Sequence, residues 1–214
     1  MNYYKRDEMS TRAYNLLIGA ILLWGFIINA LMCIYLTDTF MEWNFTMVLI
    51  GYFIIAIAGI YLSFKSDSAF ISFIGYNLVV LPVGVVLSIF IRLSEVTNYD
   101  IVNTLYVTAG LTLFMMAAAM IFPGFFSKLE SVLFMTLLGV IVVEFIAIMI
   151  NKSMPSQWDL LVAGLFCLYI GYDWGKAQAL PKTADNAVDV CVDLYLDIIN
   201  LFMRLLSSKS KKRD

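Results

Sequence analysis

The sequence predicts an all-α integral membrane protein whose single domain, residues 1–214, contains seven transmembrane helices. Of the 214 residues, 62% are hydrophobic and 14% are charged, whereas soluble domains contain about half and about a quarter, respectively. The mean hydropathy is +0.86. Seven apolar stretches have roughly the 20 residues that a helix needs to cross the hydrocarbon core of a bilayer.

The predicted helices follow one another with short polar breaks. In chain order they cover residues 13–36, 46–64, 69–92, 101–122, 129–150, 160–180 and 184–206, followed by a basic tail over 207–214. The first stretch follows a charged N-terminal segment. It is longer than the roughly 7–15 apolar residues of a signal peptide, so we expect a retained helix.

The later helices are separated by breaks of the expected composition. The breaks read TDTFMEWN, KSDS, LSEVTNYD, PGFFSK, NKSMPSQWD and PKT, and such Pro-, Asn-, Ser- and charge-rich segments end helices. The fourth stretch contains the small residues Ala117, Ala118 and Ala119, which favour close helix packing. The seventh is the least apolar, because four aspartates lie within it.

The distribution of basic residues predicts a cytosolic N-terminus. With that orientation the outside loops hold only Arg92 and Lys152, and the inside segments hold Lys5, Arg6, Arg12, Lys65, Lys128, Lys176 and Lys182. The basic tail does not follow this rule, because seven crossings would place its positive charges outside. A re-entrant seventh stretch would keep the tail inside; we expect crossing. The membrane would be the plasma membrane in a bacterium and an endomembrane in a eukaryote.

The composition excludes several function classes. Histidine is absent and no CxxC motif occurs, which argues against a Ser-His enzyme and against a zinc or redox-active cysteine pair. A net charge of −2 without a basic stripe argues against a nucleic-acid partner. We therefore expect no enzymatic activity and no cofactor, and the lipid bilayer as surroundings.

The four aspartates of the seventh stretch are Asp185, Asp189, Asp193 and Asp197, each four residues after the one before. An aspartate at the centre of a membrane helix costs roughly 2.5–3.5 kcal/mol on insertion scales, so such residues usually have a function. Asp185 lies in the first turn, where a carboxylate caps free amides. Solvation near the interface explains Asp189, whereas Asp193 and Asp197 lie deeper.

The sixth stretch supplies a partner for the deeper aspartates. An antiparallel hairpin folded about residue 183 brings Asp173 level with Asp193, and Asp197 lies one turn, roughly 6 Å, beyond. Geometry alone therefore pairs Asp173 with either of them. Two close carboxylates in a low dielectric share a proton. When both are ionised, they attract a hard divalent cation such as Ca²⁺.

Two further charged residues are candidates with two interpretations each. Glu144, in the fifth stretch, either lines an ion path or hydrogen-bonds to a neighbouring helix in its protonated form. Lys65, at the end of the second, is either a solvated flanking charge or a counter-ion of the acidic pair.

Residues 194–202 read LYLDIINLF and residues 169–173 read YIGYD. These segments resemble the LYLDxINLF signature of the last helix and the Y-x-x-Y-D motif of the Bax inhibitor family, the transmembrane Bax-inhibitor-motif proteins. The strong similarity covers about the last 45 residues. It implies a bundle of six helices around a central seventh, acting as a pH-sensitive calcium leak.

The resemblance also assigns residues. It implies that Asp173 and Asp197 form the proton-sharing pair that gates the pore and contacts Ca²⁺ transiently. It places Lys65 where the family's second helix carries a basic residue that latches onto the pair, although lysine lacks the bidentate fork of arginine. Asp189 and Asp193 are not part of that pattern, and we expect them to add negative charge at the cytosolic mouth of the path.

Four functions are compatible with these residues. The leading hypothesis is a proton-gated, calcium-permeable leak channel that conducts when the pair is deprotonated. A cation/proton antiporter would use the same carboxylates, and a non-transporting regulator would bind other membrane proteins. An intramembrane aspartyl protease is the least favoured. Its Gly-x-Gly-Asp motif is missing, because Leu194, Tyr195 and Leu196 precede Asp197.

Overall fold

The structure, a computed structural model, describes residues 8–211. Lys5, Arg6, Lys212 and Arg213, which enter the orientation and tail predictions, lie outside this range. Within it the chain forms nine helices: α1 Thr11–Tyr35, α2 Thr37–Met41, α3 Phe45–Lys65, α4 Ala69–Leu93, α5 Asn98–Ile121, α6 Pro123–Phe126, α7 Glu130–Met149, α8 Ser156–Ala179 and α9 Ala184–Ser210.

The all-helical class is confirmed for the described residues, but the predicted count of seven helices is not. The two additional helices are short and occupy segments that the sequence analysis treated as breaks. Helix α2 has five residues, and α6 has four. Pro123 at the start of α6 has the fixed φ that suits the first helical turn.

Five helices in the described part of the chain are long and apolar enough to cross a membrane: α1, α3, α4, α5 and α7. Helices α8 and α9 have 24 and 27 residues, respectively. Neither is among the five, because charged residues interrupt their apolar character. Asp159, Asp173 and Lys176 lie in α8, and the four spaced aspartates lie in α9.

Polar side chains fix where several helices begin. The Ser10 and Asn44 side chains accept hydrogen bonds from Ala13 and Met47 N–H groups at the starts of α1 and α3. Thr97 and Asp100 form a capping box at the start of α5. These contacts satisfy amide groups that have no partner inside a helix.

The described residues form two compact units. The first contains the described part of Met1–Leu93 together with Ala179–Tyr195. In it, α3 and α4 approach closely where Gly59 and Gly75 meet, since a Cβ atom on either glycine would lie 2.6 Å from the other's carbonyl oxygen. The buried Tyr76 hydroxyl donates to the Ile21 carbonyl oxygen over 3.0 Å, which joins α4 to α1.

The second unit contains Ser94–Gln178 and the described chain from Leu196 onward. Its helices are α5, α6, α7, most of α8 and the C-terminal part of α9. The ring of Phe126 in α6 packs so closely on Gly171 of α8 that a Cβ atom at Gly171 would require the ring to shift. This contact holds the segment that carries Asp173.

Candidate functional site

The candidate pair Asp173 and Asp197 lies entirely within the second unit. Asp173 belongs to the last part of α8, and Asp197 lies midway along α9. Both are buried, with 7% of each residue exposed. Buried carboxylates are rare because ionisation in a low dielectric is costly.

Both tyrosines of the YIGYD segment lie within electrostatic range of Asp173. Tyr169 lies within electrostatic range of both the Asp173 and the Asp197 carboxyl groups. The Tyr172 hydroxyl hydrogen-bonds to the Glu130 side chain at the start of α7. With Gly171 held against Phe126, the segment is positioned from α6 and α7.

The first two aspartates of α9 have serine partners in the first unit. Asp189 Oδ1 accepts a hydrogen bond of 2.6 Å from the Ser63 hydroxyl of α3. Asp185 Oδ1 lies 2.8 Å from the Ser72 hydroxyl of α4, which is also 3.1 Å from the Ser63 carbonyl oxygen. These carboxyls therefore bind neighbouring helices, whereas the sequence predicts a helix cap at Asp185 and solvation at Asp189.

Asp193 and Lys65 also belong to the first unit. Asp193 is half-buried, and Lys65 is an exposed residue at the C-terminal end of α3. The alternative pairing of Asp173 with Asp193 and the counter-ion role of Lys65 each join residues of different units. Both stay predictions.

Glu144 forms an ion pair that neither of its two interpretations included. Its oxygens lie 2.6 Å from Arg204 Nη1 and 2.8 Å from Arg204 Nη2, which is the bidentate geometry of a strong arginine–carboxylate contact. Trp158 Nε1 donates to the same carboxylate over 2.8 Å. Glu144 therefore contacts α9 as the anion of an ion pair with the Arg204 cation.

Asp159 is the residue that the sequence analysis missed. Its side chain is 1% exposed and lies 3.3 Å from Arg204 Nη1 and 2.7 Å from Lys211 Nζ. The Ser207 hydroxyl donates to it over 2.9 Å. Asp159 falls in the predicted break NKSMPSQWD. A signal existed, however, because the hairpin folded about residue 183 places Asp159 level with Ser207.

The described residues contain no group of three or more His, Cys, Asp or Glu side chains that could hold a metal ion. The candidate pair supplies two carboxylates, fewer oxygen ligands than the 6–8 that Ca²⁺ takes when fully coordinated. Such a pair suits brief contact with a passing cation that keeps part of its water shell.

Comparison with known proteins identifies a relationship over nearly the whole chain. A family model described as "Inhibitor of apoptosis-promoting Bax1" matches residues 6–214. No curated protein matches the chain significantly. The match extends well beyond the segments 169–173 and 194–202 and includes the helices before them.

Proposed function

The chain belongs to the Bax inhibitor family, and from this premise we propose that it is a pH-sensitive, calcium-permeable leak channel gated by Asp173 and Asp197. Family membership and five apolar helices make it an integral, multi-pass membrane protein. The proposal adds to this a permeant ion, a gate and the two residues that operate the gate.

The observation that carries the proposal is the burial of both aspartates, each 7% exposed, in one compact unit. Carboxyl groups withdrawn from water hold a proton at higher pH than free ones do. Two that interact titrate as a pair, in two steps that belong to neither residue alone. This supports proton sensing by a chain that has no histidine.

The proposed gate closes on protonation and opens on deprotonation. At low pH one shared proton lets the two carboxyls approach and holds α8 and α9 together. At higher pH both are ionised, and their repulsion separates the helices. The resulting negative site attracts Ca²⁺, which binds to oxygen ligands. Calcium flux should therefore rise with pH.

Other charged residues have supporting parts in the proposal. Asp193 adds negative charge on the approach to the pair, and Lys65 acts as a counter-ion in the closed state. Asp189 and Glu144 lie along the ion path but are held by Ser63 and Arg204, so they do not gate it. The N-terminus faces the cytosol, as the basic residues of the loops indicate.

Calcium flux into proteoliposomes, measured at several pH values, tests the proposal. We expect flux from wild-type protein to rise about tenfold between acidic and mildly alkaline pH. In Asp173→Asn and Asp197→Asn, neither of which can form a doubly ionised pair, we expect this pH dependence to disappear. Asp67→Asn, which changes an exposed loop carboxylate, is the matched control and should behave as wild type.

Two results would contradict the proposal. Absence of calcium flux from folded wild-type protein at every pH would remove the channel function. An unchanged pH profile in both Asp→Asn variants would remove the gate. Flux measured without a proton gradient separates a leak from an antiporter, because only the antiporter must move protons in return.

A further inference from the structure

The first unit contains an apolar cleft of about 700 Å³ between α1, α2, α3 and α4. Apolar side chains form most of its lining, among them Phe40, Trp43, Ile55, Leu81 and Pro82. Its volume is within the roughly 300–1,000 Å³ that small-molecule sites occupy. The first eleven residues of α3, 45–55, have no buried member, so this part of α3 forms a loosely covered wall.

The close contact of α3 and α4 at Gly59 and Gly75 ends at the deep end of this cleft. Leu78, which lines the cleft, also lies beside Gly59, where an added Cβ would come within 2.8 Å of it. Pro82 has no N–H group for the Leu78 carbonyl oxygen, and prolines inside helices favour bending.

The length of the cleft matches one leaflet of a bilayer. From Asn44 at the start of α3 to Ile55 the helix rises about 16 Å, and half of a hydrocarbon core measures about 15 Å. An apolar space at this depth stays free of water. Leaving it empty would forfeit the dispersion contacts of its lining. Lipid acyl chains are the material available to fill it.

A polar recess of about 240 Å³ begins one helical turn further along α4, at Ser88. It is lined by Thr37, Asp38 and Arg92, and the Arg92 guanidinium lies 3.9 Å from the Asp38 carboxylate. Both side chains are largely exposed, at 63% and 94%. A cation and an anion side by side complement a headgroup that carries a phosphate and an ammonium group.

We propose that this cleft binds one phospholipid with a zwitterionic headgroup. One acyl chain lies in the cleft between α3 and α4, the phosphate contacts Arg92, and the ammonium group contacts Asp38. The site is independent of the aspartate pair and of the proposed calcium flux. A bound lipid supports the exposed wall of α3 where protein contacts are missing.

Gly51 provides a test that fills the cleft without distorting the helices. It lines the cleft, yet a Cβ added to it would meet nothing within 4 Å. Gly139 in α7 is equally open and lies outside the cleft, so Gly139→Phe is the matched control. Native mass spectrometry of detergent-purified protein, after titration with dioleoyl-phosphatidylethanolamine, counts the lipids that stay bound.

We expect one retained lipid per chain in the wild type and in Gly139→Phe, and at least fivefold less retention in Gly51→Phe. Equal retention in all three would overturn the proposal. For the headgroup, phosphatidylethanolamine should be retained at least threefold better than phosphatidylglycerol, which lacks the ammonium group. Arg92→Gln should weaken retention of both lipids. Equal retention of the two lipids by the wild type would overturn the headgroup assignment.

A second measurement uses intact bilayers, where no lipid is removed by detergent. Trp43 lines the cleft, so lipids brominated on their acyl chains should quench its fluorescence. The Trp43 signal is the difference between wild type and Trp43→Phe. We expect Gly51→Phe to reduce this quenching at least twofold and Gly139→Phe to leave it unchanged. Quenching unaffected by Gly51→Phe would contradict an acyl chain in the cleft.

Discussion

Three threonines of α5, spaced four residues apart, turn buried hydroxyl groups toward the interior of the second unit. Thr104, Thr108 and Thr112 are 0%, 4% and 8% exposed, and none of their hydroxyls has a hydrogen-bond partner among the described residues. A buried hydroxyl without a partner costs about 1–3 kcal/mol relative to a satisfied one. The Thr136 hydroxyl, in contrast, donates to the Val132 carbonyl oxygen over 2.7 Å.

We expect Thr108→Val to leave the free energy of unfolding unchanged or to raise it by about 1 kcal/mol, because it removes an unpaired polar group at nearly constant volume. Thr97→Val makes the same chemical change at a helix cap, where the hydroxyl accepts from the Asp100 N–H. It should cost about 1 kcal/mol. Denaturant unfolding in micelles measures both, and a clear loss of stability in Thr108→Val would contradict this reading.

A charged residue could be predicted as a site residue only where charge is unusual, that is, inside an apolar helix. Asp173 and Asp197 stood out because a carboxylate in an apolar helix is costly, and both are buried. Asp159 and Arg204 looked ordinary at the edges of their helices. Their burial follows from tertiary packing, which the sequence shows only through the register of the α8–α9 hairpin.

At the scale of helices, glycine has two different roles in α3. Gly59 lies against α4, where an added Cβ would be 2.6 Å from the Gly75 carbonyl oxygen and 2.8 Å from Leu78 Cβ. Gly51, two turns earlier, has open space around it. Backbone cannot move aside as a flexible side chain can, so only Gly59 is required for the approach of the helices.

The pair Gly59→Ala and Gly51→Ala separates helix propensity from helix contact. Both replacements gain about 1 kcal/mol of propensity. Gly51→Ala should therefore raise the free energy of unfolding by up to about 1 kcal/mol. Gly59→Ala should lower it, because the clash with Gly75 outweighs the gain. Unfolding in lipid-free micelles measures the difference, and equal effects of the two changes would refute the close contact.

The long helices were easier to predict than the short ones. Each predicted stretch coincides with one long helix, and five of these seven helices are apolar enough to cross a membrane. Helices α2 and α6 have too few residues for any periodicity, and they depend on local contacts such as the packing of Phe40 on Trp43. Such contacts are not visible in composition.

At the scale of the whole molecule, opposite charges far apart in the sequence meet inside the second unit. Arg204 of α9 lies between Glu144 of α7 and Asp159 of α8, and Lys211 adds a second cation at Asp159. The four formal charges cancel. Removing one partner of a buried ion pair leaves the other uncompensated, which is strongly destabilising.

We expect Arg204→Met to lower the free energy of unfolding by about 3 kcal/mol, because Glu144 and Asp159 both lose their shared cation. Arg92→Met is the control. Its ion pair with Asp38 is exposed and 3.9 Å long, so its loss should cost under about 1 kcal/mol. Both variants are compared by unfolding in lipid-free micelles. A loss in Arg204→Met no larger than in the control would show that the partly buried ion pairs of Arg204 contribute little.

The position of α9 in the chain has a consequence for biosynthesis. A chain leaves the ribosome from its N-terminus, and α9 follows the helices that carry its partners. Ser63 and Ser72, which bind its aspartates, and Glu144 and Asp159, which bind its arginine, are all made earlier. A segment too polar to enter a bilayer cheaply by itself thus emerges when the groups that neutralise it already exist. The order of translation matches the order in which the charges need their partners.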